Sequence, residues 1–254
     1  MRRKPSQVMQ ARNRTNAAGK PIRNKILLAM TDAEFHVIRP HLEYVALPSH
    51  LRLHESHQTF QFVYFPNEGL ISLVVAMANG KTVEAGIVGS EGITGLPAIV
   101  GLSRSPLREV MQIGGDGFRV KIRDLKKTLV SAPDLRRILE RYTMMLGFHV
   151  AQTAACNRLH DVDQRLARWL LMAHDRVEAG AIRITHDFLA TMLGTDRPTV
   201  SLAAGLLQRM NIIKYSRGAV KILNRGALEN QACECYAVIQ RYALISPPLP
   251  DRTL

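Results

Sequence analysis

The stretch AIRITHDFLATMLGTDRPTVSLAAGLLQRMNIIKYSRGAVKIL, residues 181 to 223, constrains this chain more than any other segment. Thr185 offers a hydroxyl that can cap a helix start, and Asp187 a first-turn carboxylate that suits the positive helix end. Phe188, Leu189, Met192 and Leu193 supply an apolar face, and Gly194 can end the helix by taking positive φ. Asp196 then caps a second helix whose first turn is Arg197 and Pro198. In that helix Val200, Ala203, Ala204, Leu207 and Met210 fall at helical spacing, which leaves Arg197, Thr199, Ser201 and Leu202 near the outward-facing N-terminal end. Ile212 to Tyr215 and Ala219 to Leu223 read as a hairpin joined by Ser216, Arg217 and Gly218. An ordinary helical hairpin shares the apolar spacing and the glycine turn. The short turn, the basic cap region and the following strands together favour a winged helix-turn-helix. Its docking geometry sets Thr185, Asp196, Arg197, Pro198, Thr199, Ser201, Leu202 and Arg217 as candidate DNA-binding residues, with Arg217 on a phosphate.

Charge points the same way. The 254 residues carry 34 Lys and Arg against 21 Asp and Glu, a net +13 that calls for a polyanionic partner. Apolar runs such as Leu70 to Ala78 are far too short to cross a bilayer, so no membrane is expected. Three cysteines, Cys156, Cys233 and Cys235, cannot build a disulfide framework, and no N-terminal stretch resembles a signal peptide. A cytoplasmic protein is the expectation.

Upstream, residues 1 to 25 hold eight basic residues and no acid, and read as a mobile, solubilising tail. A helix-like segment from Ile26 to about His41 precedes short β-rich runs: Tyr44 to Leu47, Phe60 to Phe65, Leu70 to Met77, Thr82 to Val88, Leu107 to Ile113 and Phe118 to Ile122. Their spacing suggests a small barrel or jelly roll, with the long, glycine-rich Gly89 to Pro106 connection as its ligand-facing loop. From Asp134 to about His160, two series recur every seven residues: Leu135, Tyr142, His149, Cys156 and Ile138, Met145, Gln152, Leu159. These heptads predict a long helix that pairs with its copy in a homodimer, in preference to one packed on its own barrel. The expected fold is α+β: a β-roll over 26–130, a long dimerisation helix and hinge over 131–174, a winged helix-turn-helix over 175–245, and a short tail over 246–254.

In this order the parts resemble the Crp/Fnr family of bacterial transcription regulators. The residues that carry the resemblance are LPSHLRLHESHQTFQFVYFPNEGLISLV in the roll, DVDQRLARWLL after the long helix and ITHDFLATMLGTDRPTVSLAAGLLQRMNII in the reader. It resembles in particular a branch with VGSEGITGLP in place of the usual phosphate-binding cassette. The resemblance implies a dimer on a palindromic operator, a cyclic-nucleotide-binding-like sensor domain, and RNA polymerase as a partner. It places Arg197 as the arginine that donates to guanine, while Pro198 and Leu202 replace a glutamate and a second arginine, so a different operator is implied. Arg108 matches the arginine that neutralises the cyclic phosphate. Leu96, Glu109, Val150 and Ala151 replace the other ligand contacts, so no cyclic nucleotide is expected. Nor is an iron–sulfur cluster, because the family's cluster-bearing members have N-terminal cysteines and this chain has none before Cys156.

A metal-dependent or ligand-converting barrel enzyme with an incidental helical tail is the alternative. It would need convergent ligands in the roll. His50, His54 and His57 do not supply them: His54 and His57 are three apart and point to opposite strand faces, so a solvated strand end is expected. Cys233 and Cys235, read as two apart on a C-terminal helix and about 200° around its axis, are expected to be packing residues. No nucleophile, P-loop or dinucleotide constellation is present, and neither an enzyme nor a cofactor is expected.

Overall fold

The computed structural model describes residues 13–177 and 180–243. The chain opens with α1 (Lys25–Ala29) and α2 (Asp32–Ile38), each started by its own side-chain cap: Asn24 accepts from the Ile26 and Leu27 amides, Thr31 from that of Glu34. Seven strands follow, β1 (Glu43–Leu47), β2 (Arg52–His54), β3 (Phe62–Pro66), β4 (Leu70–Ala76) and β5 (Thr82–Val88), then, after the short α3 (Leu96–Ile99), β6 (Leu107–Ile113) and β7 (Gly115–Lys121). They form two antiparallel sheets, β1-β7-β3 and β2-β6-β4-β5, which face each other as a roll around Leu47, Leu53, Ile71, Leu73, Val88 and Met111. Strand β2 lies outside the β-rich runs read from the sequence; it has only three residues and pairs with β6 through a register shift, too short for an alternation signal.

The basic tail needs correction over its described part. Arg14 is buried, and its guanidinium donates to the carbonyls of Leu27 (2.6 Å) and Met30 (2.8 Å), closing the end of α1, while it stacks 4.5 Å over the Phe35 ring. Asn16 and Asn24 are buried as well, and Asn24 reaches the carbonyls of Pro66 and Gly92 in the roll. Composition pointed to a solvated tail because it counts charges and does not register that a guanidinium can be satisfied by backbone carbonyls. Residues 1–12 lie outside the described residues, as do 244–254, which include the short tail expected over 246–254.

After α4 (Ile122–Ser131) runs α5 (Pro133–Leu159), 27 residues long. Its first turn lacks a local side-chain cap, and the buried Glu34 carboxylate of α2 takes that role by accepting from the Asp134 (2.9 Å) and Leu135 (2.8 Å) amides. The first heptad series is spent within the chain: Leu135, Tyr142, His149 and Cys156 are all buried. The exposed apolar side is a neighbouring stripe, Met144, Phe148, Ala151, Ala155 and Leu159, with Phe148 49% and Leu159 74% exposed. The helix therefore buries one face within the chain and leaves another largely exposed, on which Phe148 meets the Tyr242 ring edge-on at 5.6 Å.

A kink at His160 and Asp161 leads into α6 (Val162–His174), which begins with a reciprocal capping box between Asp161 and Gln164. The C-terminal unit comprises β8 (Ile182–Arg183), α7 (His186–Leu193), α8 (Arg197–Arg209), β9 (Ile213–Ser216), β10 (Ala219–Ile222), α9 (Arg225–Gln231) and α10 (Cys235–Ala243). Its core gathers Leu166, Trp169, Leu170, Leu189, Leu193, Val200, Leu207 and Val220. It touches the roll through β5, where the Trp169 indole donates to the buried carboxylate of Glu84 (2.8 Å), which also accepts from the Ser72 hydroxyl. No described helix is long and apolar enough to cross a membrane.

Candidate nucleic-acid interface

The reader is assembled from local caps. Thr185 Oγ1 accepts from the Phe188 amide (3.2 Å), and Gly194 ends α7 in the left-handed conformation, its amide reaching Ala190 and Thr191. Asp196 accepts from the Thr199 amide (2.8 Å), a contact that holds its carboxyl below the ordinary range. Arg197 and Pro198 open α8, whose buried stripe is Val200, Ala203, Ala204 and Leu207. Met210, expected on that stripe, is exposed because it follows the last helical turn. The outward face starts with Arg197 and Pro198 and continues through Leu202, which is 74% exposed. Arg197 stands 3.7 Å from Asp187, an exposed pair that a phosphate or a base edge can break at little cost.

Ser201 behaves differently from its neighbours. Its hydroxyl lies 2.9 Å from His186 Nδ1, and that imidazole packs on the Tyr215 ring at 4.2 Å between centroids. Tyr215 in turn donates to the Ile184 carbonyl (2.8 Å). This chain links α7, α8 and β9, and the half-buried Ser201 is part of it. Burial, then the nearby Arg197 charge, pushes His186 below its ordinary pKa.

In the wing, β8-β10-β9 pair antiparallel, and Ser216 opposes Ala219 across a two-residue loop. Arg217 (φ 49°) and Gly218 (φ 73°) both take positive φ, the pattern of a tight hairpin turn whose twist matches the strands. Arg217 is exposed at the tip although a side chain there is strained. Lys214 and Lys221, which drew no notice in the sequence, pair directly across the strands on the solvent side. Like charges opposite each other destabilise a hairpin, so their juxtaposition suits an anionic partner. A period-two count of alternating lysines on two short strands would have revealed them.

Arg108 and Glu109 alternate on β6: Glu109 is buried, its carboxylate accepting from the Gly95 amide (3.1 Å), while Arg108 pairs with Glu55 at 2.7 Å. Arg108 thus has a carboxylate partner in this structure. His54 is not a solvated strand end. Its side chain is buried against Phe60 and Tyr64 with Nε2 3.4 Å from Glu109 Oε2, whereas His50 and His57 are exposed turn residues with positive φ. Burial pushes Glu109 up to about 7 and His54 down to about 4, so between those values the two face each other as neutral groups.

A second group of chemically capable residues was missed. Cys156, His160, Cys233 and Cys235 converge, with one ligand atom from each within 4.8 Å of the others. The expectation that Cys233 and Cys235 share a helix face poorly fails because Cys233 is not helical: Ala232 is extended after α9, and α10 begins only at Cys235. The signal available was the pair of spacings, Cys-x-Cys and Cys-x3-His, lying 77 residues apart.

Comparison with known proteins agrees with this geometry. A Crp-like helix-turn-helix domain family matches residues 164–231. No curated protein matches the chain in sequence. Among solved structures, FixK2 from Bradyrhizobium japonicum is similar at a TM-score of 0.66 and 19% identity, covering 76% of this chain and 98% of its own. The c-di-GMP-responsive regulator CLP from Xanthomonas campestris is similar at 0.60 and 16%, covering 76% and 99%. A protein from Eubacterium rectale assigned to the Crp/Fnr transcriptional regulators is similar at 0.62 and 16%, covering 82% and 97%. The chain has the fold of the Crp/Fnr transcription regulators and carries a Crp-like helix-turn-helix DNA-binding domain.

Proposed function

We propose that this regulator binds a palindromic operator as a homodimer, reading bases with the exposed start of α8 and gripping phosphates with the wing. The observation that carries the reading is the outward Arg197–Pro198 turn together with an exposed basic wing, Lys214 paired with Lys221 across the strands and Arg217 at the tip. In the bound state Arg197 exchanges Asp187 for a guanine edge, Leu202 meets a thymine methyl, and Thr199 and Pro198 fit the groove wall. Thr185 and Asp196 act through the caps that fix both helices. Dimerisation uses the Met144, Phe148, Ala151, Ala155 and Leu159 stripe, whose alanines let two helices approach closely.

The protein acts in the cytoplasm on RNA polymerase at promoters and performs no catalysis. Its roll does not respond to cyclic AMP, since Arg108 is held by Glu55 and Leu96 and Glu109 are buried. Selecting bound sequences from a random DNA pool tests the reading. A two-fold symmetric consensus supports it; retention with no consensus refutes it in favour of a non-specific binder.

A further inference from the structure

We propose that Cys156, His160, Cys233 and Cys235 bind one zinc-type divalent ion and thereby tie the end of α5 to the start of α10. Tetrahedral zinc holds thiolates at about 2.3 Å, which sets neighbouring ligand atoms roughly 3.8 Å apart. Here Cys156 Sγ lies 3.5 Å from Cys233 Sγ, and Cys235 Sγ lies 3.6 Å from His160 Nδ1. Cys156 and His160 are one helical turn apart at the end of α5, so both project to one side. The extended backbone at Ala232 ends α9, so Cys233 is not helical and its sulfur meets that of Cys235, the first residue of α10, at one point.

Three further observations point to a metal rather than to apolar packing. The imidazole is oriented as a ligand: Nδ1 faces the thiols while Nε2 stands 3.1 Å from the Glu234 carboxylate, the outer partner that fixes the tautomer of metal-bound histidines. Gln152 donates to Cys235 Sγ at 3.0 Å, a bond suited to a thiolate. Arg165 and Arg168 are buried beside Cys156, and neither has a salt bridge among the described residues. Their Nε atoms lack a hydrogen-bond partner. Three thiolates and one divalent ion carry a net negative charge that would sit beside these guanidiniums, whose acidic neighbours Asp161 and Glu84 form no salt bridge with them.

The step is not redox. Each thiol gives up its proton to solvent as its sulfur bonds the ion, up to three protons per ion bound. A Cys156–Cys233 disulfide would require the sulfurs to close to about 2.05 Å and an oxidant, and would leave Cys235 and His160 without a role. The compact donor set also suits one ion better than an iron–sulfur cluster, whose thiolates sit on separate irons.

The test uses the full chain, reduced and metal-stripped, titrated with cobalt(II). One equivalent should bind with an intense thiolate-to-cobalt band and the strong visible bands of tetrahedral cobalt, all displaced by one equivalent of zinc. Cys233→Ser should abolish tight binding, and Glu234→Gln should weaken it about 10-fold to 100-fold. His160→Cys should retain stoichiometric binding with a red-shifted, more intense thiolate band, an outcome that a packing role does not predict. Unfolding on chelation with recovery on zinc also supports the proposal. Cobalt uptake without thiolate bands, three thiols that react as free in zinc-loaded protein, or iron and sulfide in the protein as purified overturns it. None of these readouts involves DNA, so they stand or fall apart from the operator reading.

Discussion

Glu84→Gln probes the junction between roll and reader. Glu84 is buried on β5, accepts from Ser72 and from Trp169 of α6, and lies near Arg168 and Arg176. Burial outweighs those contacts and pushes its pKa from 4.5 up to about 7. A raised carboxyl pKa means the folded state holds the proton more tightly than the unfolded one. Its stabilisation is full below about pH 4.5 and is lost as pH rises through about 7. At about 1.36 kcal/mol per pKa unit the whole effect is roughly 3 kcal/mol, of which about 2 kcal/mol falls between pH 5 and pH 8. Glutamine keeps an oxygen for the indole and can donate to Ser72, but does not titrate. The variant should therefore match the wild type near pH 5 and exceed it by about 2 kcal/mol at pH 8. Urea denaturation at both pH values measures this, with Trp169, the single tryptophan, reporting from the contact itself. His54, His149 and Glu109 titrate in both proteins and cancel. A wild-type-to-variant difference that is the same at pH 5 and pH 8 refutes the assignment of a near-neutral, buried Glu84.

Arg197→Ala should cost about 1 to 3 kcal/mol at one base pair per half-site and relax specificity there, read by binding to operators altered one pair at a time; equal weakening on random DNA counts against base reading. Phe148→Glu places two like charges on the exposed stripe of α5 and should give a monomer in sedimentation that has lost operator binding. Replacing Lys214 and Lys221 with Gln should lower the slope of log affinity against log salt by about 1 per lysine in each half-site, while the hairpin gains a few tenths of a kcal/mol, about the size of one cross-strand repulsion. A salt dependence unchanged by the double substitution removes the wing from the interface.

Local chemistry made most of the reader legible. Thr185, Gly194 and Asp196 act within three or four residues of themselves, so caps and turns can be read without knowing the rest of the molecule. The same holds for β5 and β6, whose alternation and flanking turns match the strands from Thr82 to Val88 and Leu107 to Ile113. Periodicity announces an apolar face but not what covers it. Only the tertiary structure decided that Leu135, Tyr142, His149 and Cys156 turn inward while Met144, Phe148 and Leu159 face out. It also decided the partners of groups far apart in sequence: Arg108 with Glu55, Arg14 with the end of α1, Ser201 with His186. The Cys156, His160, Cys233 and Cys235 cluster shows the reason most plainly. Its two halves are unremarkable pairs in the chain, and they become a donor set only because α6 and the reader fold back to bring residue 233 beside residue 156.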